Sequence, residues 1–177
     1  MGKGSFGKVY LVKKLSDGKL YAMKKVNKSK LRDLNLVSCA VNERRILGLV
    51  DSPFIVRLHY CFQTPKCLYF IMQYAENGEL HYFMKQRQKF SETLAKLYCA
   101  EMLLALEYLH SNNIIHGDLK PENVLLDSEG HVLLADFGLA AFGPKTGCLQ
   151  TTPAYMAPEQ ILGRESSIAI DVWAFVG

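Results

Sequence analysis

Alternation of apolar and polar residues predicts strands in the first part of the chain. KVYLVKKLSDGKLYAMKKV, residues 8–26, alternates on both sides of a central Asp-Gly pair, which is typical of a β-hairpin turn. In residues 34–50 the apolar positions instead recur at helical spacing and end at Asp-Ser-Pro, which predicts one helix. Two apolar runs, at 54–64 and 67–75, predict two more strands, and an Asn-Gly turn follows them.

The spacing of apolar residues changes after this turn. SETLAKLYCAEMLLALEYLHSNN, residues 91–113, has a broad apolar face and Ser91 as its N-cap, and predicts a long helix. NVLLDSEGHVLLADFG alternates around a Glu-Gly pair and predicts a second, smaller hairpin. The predicted fold class is therefore α+β, with a small antiparallel sheet and one main helix in residues 1–75 and a mainly helical part in residues 76–177.

Composition and charge exclude several classes of protein. With 49% apolar and 21% charged residues, the 177-residue chain is typical of a globular domain. Residues 1–50 carry 12 Lys and Arg against 3 Asp and Glu, but no arginine-rich stretch and no basic patch built with aromatic residues accompanies them, so we expect no nucleic-acid partner. Five unpatterned cysteines argue against a disulfide framework or a zinc site. No membrane span or secretory signal is evident, which predicts a cytoplasmic protein, with the nucleus as the other compartment.

A glycine pattern at the start of the chain indicates phosphate binding. GKGSFGKV has the G-x-G-x-x-G-x-V spacing, which alone is weak evidence because it also opens dinucleotide-binding folds. Here it precedes a predicted hairpin and not a helix, which favours a flap whose backbone N–H groups lie over phosphates. The residues assigned to this flap are Gly2, Lys3, Gly4, Ser5, Phe6 and Gly7.

Further polar residues fall where a nucleotide and a metal would need them. Lys24 on the second strand would by itself be a surface lysine, but a pair with Glu43 of the predicted helix would hold its amine against phosphates. HGDLKPEN and ADFG place four more polar residues in apolar hairpin sequence, where burial without partners costs about 1–3 kcal/mol each. These four are Asp118, Lys120, Asn123 and Asp136.

Taken in order, these motifs resemble the eukaryotic protein kinase family over essentially all 177 residues. The resemblance rests on the glycine loop, the AMK lysine, the helix glutamate, HGDLKPEN, DFG, TTPAYMAPE and DVWAFVG. DLKPEN is similar to the serine/threonine class, and GKGSFGKVYLVKK, YAMKKVNKSKL and NERRIL are similar to the AGC group. The resemblance implies a two-lobed kinase fold, ATP and Mg²⁺ as cofactors, and transfer of the γ-phosphate to Ser or Thr hydroxyls of proteins.

The resemblance also implies a role for individual residues. Asp118 would orient the substrate hydroxyl and accept its proton, Lys120 would steady the γ-phosphate, and Asn123 and Asp136 would bind Mg²⁺. The remaining nucleotide-binding positions are Val9, Ala22, Lys24, Glu43, Met72, Gln73, Ala75, Glu79 and Leu125. Among them Met72 would be the gatekeeper. Leu47, Leu58, His116 and Phe137 would stack as the regulatory spine.

One departure from the family pattern concerns regulation. Gly117 stands where phosphorylation-switched relatives have an arginine, and Cys148 stands where they have the phosphothreonine. Cys39 and Ala141, at two positions that often help to bind that phosphate, are not basic. The residue that would carry the phosphate and the basic residues that would bind it are thus absent together. Their joint absence favours a site that needs no such phosphorylation. The alternative is a catalytically impaired pseudokinase or gene fragment that binds nucleotide or a protein partner.

Two further expectations concern partners. Glu79 and Glu122 match positions at which AGC relatives bind basic residues, so the expected protein substrate carries Arg or Lys near its acceptor. SSIAIDVWAFVG resembles a helix that lies inside a larger domain, and the resemblance therefore implies a kinase domain truncated at its C-terminal end with an incomplete C-lobe. We expect a partner chain or aggregation through this uncovered helix.

Overall fold

The structure is a computed structural model that describes residues 7–87, 90–144 and 152–177. Its first part holds six elements: β1 (Gly7–Lys13), β2 (Leu20–Asn27), α1 (Lys28–Asp33), α2 (Val37–Leu49), β3 (Leu58–Gln63) and β4 (Cys67–Gln73). The second part holds β5 (Gly78–Glu79), α3 (Leu80–Arg87), α4 (Glu92–Ser111), β6 (Ile114–Ile115), β7 (Val124–Leu126), β8 (Val132–Leu134), β9 (Ala141–Phe142), α5 (Pro158–Ile161) and α6 (Ala169–Val176). This order confirms the predicted α+β class.

The first part is built on a four-stranded antiparallel sheet in the order β1-β2-β4-β3. The hairpin of β1 and β2 is confirmed, and its turn has Gly18 at a φ of 72°, which favours glycine. Ala22 pairs with Met72, and Lys24 pairs with Phe70, so β2 and β4 are the central strands. Lys24 and Lys25, as neighbours on one strand, project to opposite faces of the sheet.

The predicted helix at 34–50 is confirmed as α2, which begins at Val37 rather than at Leu34, and a short helix that was not predicted precedes it. The chain forms α1 first, with the Asn27 side chain accepting the N–H of Ser29 as its cap. Asn35 then adopts a φ of 55°, a left-handed conformation that interrupts helical geometry, before α2 begins at Val37. The sequence signal of α1 is weak because only Leu31 of this six-residue helix is buried.

The second part is mainly helical and contains two small sheets. The predicted N-cap of α4 is confirmed, since the Ser91 hydroxyl accepts the N–H of Leu94. The second hairpin is also confirmed as β7 and β8, joined to β5 in one sheet. The pairing of β6 with β9 and the helix α3 were not predicted, because elements of two residues carry no periodicity and α3 follows its strand without a cap signal.

One apolar core connects the two parts. Ile46 and Leu47 of α2 and Leu106 and Leu109 of α4 belong to the same cluster of buried residues, together with Phe137. The stretch between α2 and β3 is joined to β8 by the N–H of Val56, which donates to the carbonyl of Leu134. The sheet and the helical part therefore meet along a packed seam that also holds the polar residues described below.

The last helix presents an apolar surface to solvent. Only Ile170 and Asp171 of α6 are buried, whereas Val172, Trp173 and Val176 are exposed. Among the described residues, no helix combines the length and the apolar character that a membrane crossing requires.

Candidate active site

Lys24 is the centre of a buried charge cluster. Its amine lies 2.6 Å from a carboxylate oxygen of Glu43 on α2 and 2.7 Å from one of Asp136, which follows β8. Burial alone lowers the pKa of Lys24, but the two carboxylates outweigh it, and the pKa is raised above its ordinary value. Burial also raises the pKa of Glu43, against the pull of Lys24. The amine is thus a fixed positive charge at the seam, as the predicted pair with Glu43 requires.

Asp136 holds an unusual backbone conformation. Its φ of 58° and ψ of 75° are left-handed, a region that residues other than glycine rarely adopt. The following Phe137 is fully buried and packs its ring edge-on to His116, with centroids 5.0 Å apart. The predicted spine residues Leu47 and Leu58 belong to the same core region. The conformation directs the Asp136 carboxylate to Lys24 while Phe137 packs into the core.

Both ring nitrogens of His116 contact backbone groups. The carbonyl of Ala135 lies 3.0 Å from Nε2, so this nitrogen carries the proton and donates it. Nδ1 then accepts the backbone N–H of Asp118 at 3.3 Å. His116 is a packing and positioning residue, in agreement with its predicted role.

The carboxylate of Asp118 sits in a ring of donors. Lys120 lies 2.8 Å from Oδ2, and the Asn123 amide donates to the same oxygen at 3.0 Å and to the Asp118 carbonyl at 2.7 Å. Thr152 donates its backbone N–H and its hydroxyl to Oδ1, each at 3.3 Å, and also accepts from the Lys120 amine at 2.7 Å. Asp118 is 4% exposed, so these contacts fix its orientation.

The donor set near Asp118 suits a magnesium ion. Mg²⁺ prefers oxygen ligands, and Asp136 supplies carboxylate oxygens. Within the described part of the chain, the Asn123 side chain forms hydrogen bonds through its amide nitrogen only. Its amide oxygen is therefore available as a further ligand for Mg²⁺. No group of three or more His, Cys, Asp or Glu residues gathers as a metal site among the described residues. An ion here would therefore need oxygens from another molecule, such as the phosphates of a nucleotide.

Asp171 of α6 ties the loop before Asp118 to the last helix. Its carboxylate accepts the backbone N–H groups of His116 and Gly117, each at 2.8 Å, and lies 2.9 Å from Nε2 of His110. Burial tends to raise the pKa of Asp171, but these donors prevail and lower it. This residue was not predicted to have a role, although a single aspartate in the apolar segment AIDVWAFV was a usable signal.

The residues predicted to contact a nucleotide fall on the inner side of the sheet and at its edge. Val9 pairs with Lys24, and Ala22 with Met72, so these four share one region. The remaining described positions are the half-buried Gln73 and Leu125, the buried Ala75 and the exposed Glu79. Gly2, Lys3, Gly4, Ser5 and Phe6 lie outside the described residues.

Gly7 is required by close packing as well as by the motif. A Cβ atom at this position would collide with the backbone carbonyl of Lys25 on the neighbouring strand. The close approach of β1 to β2 at this point therefore excludes any side chain.

Gly117, the departure in the catalytic loop, has a φ of 77°. This left-handed conformation favours glycine over other residues. Cys39 and Ala141 are half-buried and carry no charge, as the sequence indicates. Cys148 lies outside the part of the chain that the structure describes.

Glu79 and Glu122, the predicted contacts to basic substrate residues, flank the start of α3. Glu79 is exposed, and its carboxylate forms no ion pair with a described residue. Glu122 lies 3.7 Å from Nδ1 of His81, a residue that the sequence analysis did not single out. Thr152 and His81 were both missed, since neither belongs to a charged motif and only the fold brings them to the site.

A family profile and several known proteins match nearly the whole chain. The profile of the protein kinase domain matches residues 1–176. A RAC family serine/threonine-protein kinase homolog of Dictyostelium discoideum is 45% identical over 99% of this chain and 40% of its own length. The cAMP-dependent protein kinase type 3 of Saccharomyces cerevisiae is 43% identical over 99% of this chain and 44% of its own length. Protein kinase C of Drosophila melanogaster is 42% identical over 98% of this chain and 24% of its own length. The chain thus spans less than half of each of these relatives.

Proposed function

Because this chain belongs to the protein kinase family and its relatives are AGC-type serine/threonine kinases, we propose that it transfers the γ-phosphate of ATP to Ser or Thr hydroxyls of proteins. The observation that carries the proposal is the Lys24, Glu43 and Asp136 cluster facing the Asp118 loop across the seam. A buried ammonium held by two carboxylates is well suited to bind the α- and β-phosphates.

In the proposed reaction, the oxygen of a serine or threonine hydroxyl attacks the γ-phosphorus. The bond from that phosphorus to the β,γ-bridging oxygen breaks, ADP leaves, and the hydroxyl proton passes to the Asp118 carboxylate. Lys120 binds the γ-phosphate during transfer, and its 2.8 Å contact with Asp118 fixes the relative positions of the two side chains. Magnesium, held by Asn123 and Asp136, would offset the negative charge of the phosphates. Positioning and electrostatics account for most of the catalysis.

The substrate is proposed to be basic around its acceptor. Glu79 has no cationic partner among the described residues, and Glu122 has only His81 nearby. Carboxylates without cations beside a substrate cleft favour Arg or Lys in the bound peptide.

Activation-segment phosphorylation is proposed to be unnecessary. At Gly117 the chain has no side chain with which to bind a phosphate, and Cys39 and Ala141 are uncharged. A cluster of basic residues would need a phosphate to offset its charge before the activation segment could pack against it. Because these positions carry no charge, the segment needs no added phosphate.

The test is single-turnover phosphotransfer to a serine peptide with arginines before the acceptor, followed by mass spectrometry at high enzyme concentration. We expect the peptide to gain one phosphate with the unaltered chain and far less with Asp118→Asn, whereas Asp33→Asn on exposed α1 should behave like the unaltered chain. Equal transfer by the Asp118 variant would contradict the assigned role. Absence of transfer, together with nucleotide binding, would support a pseudokinase instead.

A further inference from the structure

Glu122 has an incompletely satisfied carboxylate. Its Oε2 is buried and accepts no hydrogen bond from any described residue. Its Oε1 lies 3.7 Å from Nδ1 of His81, which is within ion-pair distance but too long for a hydrogen bond. A buried carboxylate oxygen forgoes the hydrogen bonds that it makes in water, so this group gains from any donor that reaches it.

His81 is the basic side chain placed to interact with Glu122. It is the second residue of α3, and this helix packs against the 3-10 helix Pro121–Asn123 that carries Glu122. The amine of Lys120, although close in sequence, is engaged by Asp118 and Thr152. No other Lys, Arg or His in the described chain lies within ion-pair distance of the Glu122 carboxylate.

The contact between His81 and Glu122 is exposed enough for a ligand to replace His81 at the carboxylate. The side chains of His81 and Glu122 are 32% and 39% exposed. An ion pair at a surface is weak, because solvent screens it and both side chains lose freedom in it. An arginine guanidinium offers up to five donors in a planar fork and can hydrogen-bond Oε1, which the His81 imidazole at 3.7 Å does not.

We propose that His81 is a specificity-determining residue that competes with a basic residue of the substrate for Glu122. The inference rests on the proposed function and concerns its peptide subsite. When protonated, His81 pairs with Glu122, and a peptide must displace it to place its own cation there. His81 therefore lowers the affinity for peptides whose basic residue reaches Glu122 and leaves other peptides unaffected.

Fluorescence anisotropy of labelled peptides tests this without requiring phosphotransfer. The probes are a serine peptide with two arginines before the acceptor and two matched peptides in which each arginine in turn is alanine. We expect His81→Phe to tighten binding of the two-arginine peptide about two- to fivefold, the factor that corresponds to one exposed ion pair. His81→Lys, with a permanent charge, should weaken binding below that of the unaltered chain.

A double-mutant cycle identifies Glu122 as the partner. In a Glu122→Gln background, His81→Phe should change peptide affinity little, and one alanine peptide should be insensitive to His81 in every background. Unchanged affinity in His81→Phe, an equal gain for all three peptides, or no peptide binding by any folded variant would overturn the inference. Retained phosphotransfer with His81-independent affinities overturns this inference alone, whereas His81-dependent binding without phosphotransfer overturns only the proposed reaction.

Discussion

The carboxylate of Asp171 accepts the backbone N–H of Gly117 at 2.8 Å, although 54 residues separate them along the chain. The same carboxylate accepts the N–H of His116 and contacts His110. The buried carboxylate of Asp171 therefore fixes the backbone just before Asp118, and the geometry of this loop depends on α6.

Replacing Asp171 by asparagine should weaken this support. An amide has one acceptor oxygen where the carboxylate has two, and its NH₂ group would face the backbone donors. Hydrogen bonds to a charged group contribute about 1.5–3 kcal/mol, so we expect the free energy of unfolding in urea to fall by about that amount. The exposed Asp33→Asn variant is the matched control and should change stability little. Equal stability in both variants would contradict the assigned role of Asp171.

Gly117 should resist substitution for a backbone reason. At a φ of 77°, alanine incurs a steric penalty of about 1–2 kcal/mol, whereas asparagine tolerates this region better. Gly117→Ala should therefore be less stable in urea than Gly117→Asn. If alanine is as stable as glycine here, the left-handed conformation does not exist in solution.

Restoring the family arginine at this position alone should not raise activity. Cys148 offers no phosphate for a guanidinium to meet, and Cys39 and Ala141 would not share in binding one. Phosphotransfer by Gly117→Arg should therefore not exceed that of the unaltered chain. A several-fold gain would show that the arginine has another role.

The pair of His131 and Glu101 predicts a pH dependence of stability. Nδ1 of His131 lies 2.6 Å from a carboxylate oxygen of the buried Glu101, and hydrogen bonding and charge attraction from Glu101 raise the pKa of His131. A raised pKa means that the folded state favours the protonated imidazole. The stabilisation is therefore complete below about pH 6.5, the ordinary histidine value, and is lost as pH rises through the folded-state pKa.

Thermal melts across pH 5–9 measure this effect as the difference between the unaltered chain and His131→Asn. We expect the difference to be largest at acidic pH and to shrink toward alkaline pH. His59 serves as a contrast, because burial and the nearby Arg57, Lys19 and Lys14 lower its pKa, which should produce the opposite trend for His59→Asn. A pH-independent difference for His131→Asn would exclude a charged pair with Glu101.

Exposed apolar residues on α6 and α4 should make the purified chain associate. Val172, Trp173 and Val176 are 50%, 51% and 78% exposed, and Leu103 and Leu104 of α4 are about half exposed. Exposed apolar side chains in such numbers promote association. Light scattering after gel filtration should show oligomers or aggregates, and Val172→Glu with Val176→Glu should shift the chain toward monomer. A monodisperse unaltered monomer would be the contrary result.

Much of the fold was predictable because its signals are local. The Asp-Gly hairpin, the Ser91 cap and the long apolar face of α4 each specify one element within a few residues of sequence. The helix α1 was not, because only one of its residues is buried, and neither was the left-handed Asn35 that separates it from α2, because no apolar pattern reports such a conformation. The same division applies to the site. Motif residues such as Lys24 and Asp118 were identifiable, whereas Asp171, Thr152 and His81 act through contacts between segments distant in sequence.

The most direct test of the central claim, that the Lys24 and Asp136 cluster binds Mg·ATP, is the rise in melting temperature of the chain with increasing Mg·ATP. A ligand that binds only the folded state raises the midpoint, and it does so at lower concentrations the tighter it binds. We predict a rise for the unaltered chain and for Lys25→Met, whose side chain lies on the other face of the sheet. Lys24→Met should need about five- to a hundredfold more nucleotide for the same rise, as loss of a charge-assisted contact implies, and Asp136→Ala should lose the dependence on magnesium. The same rise in all four proteins would show that the cluster does not bind Mg·ATP.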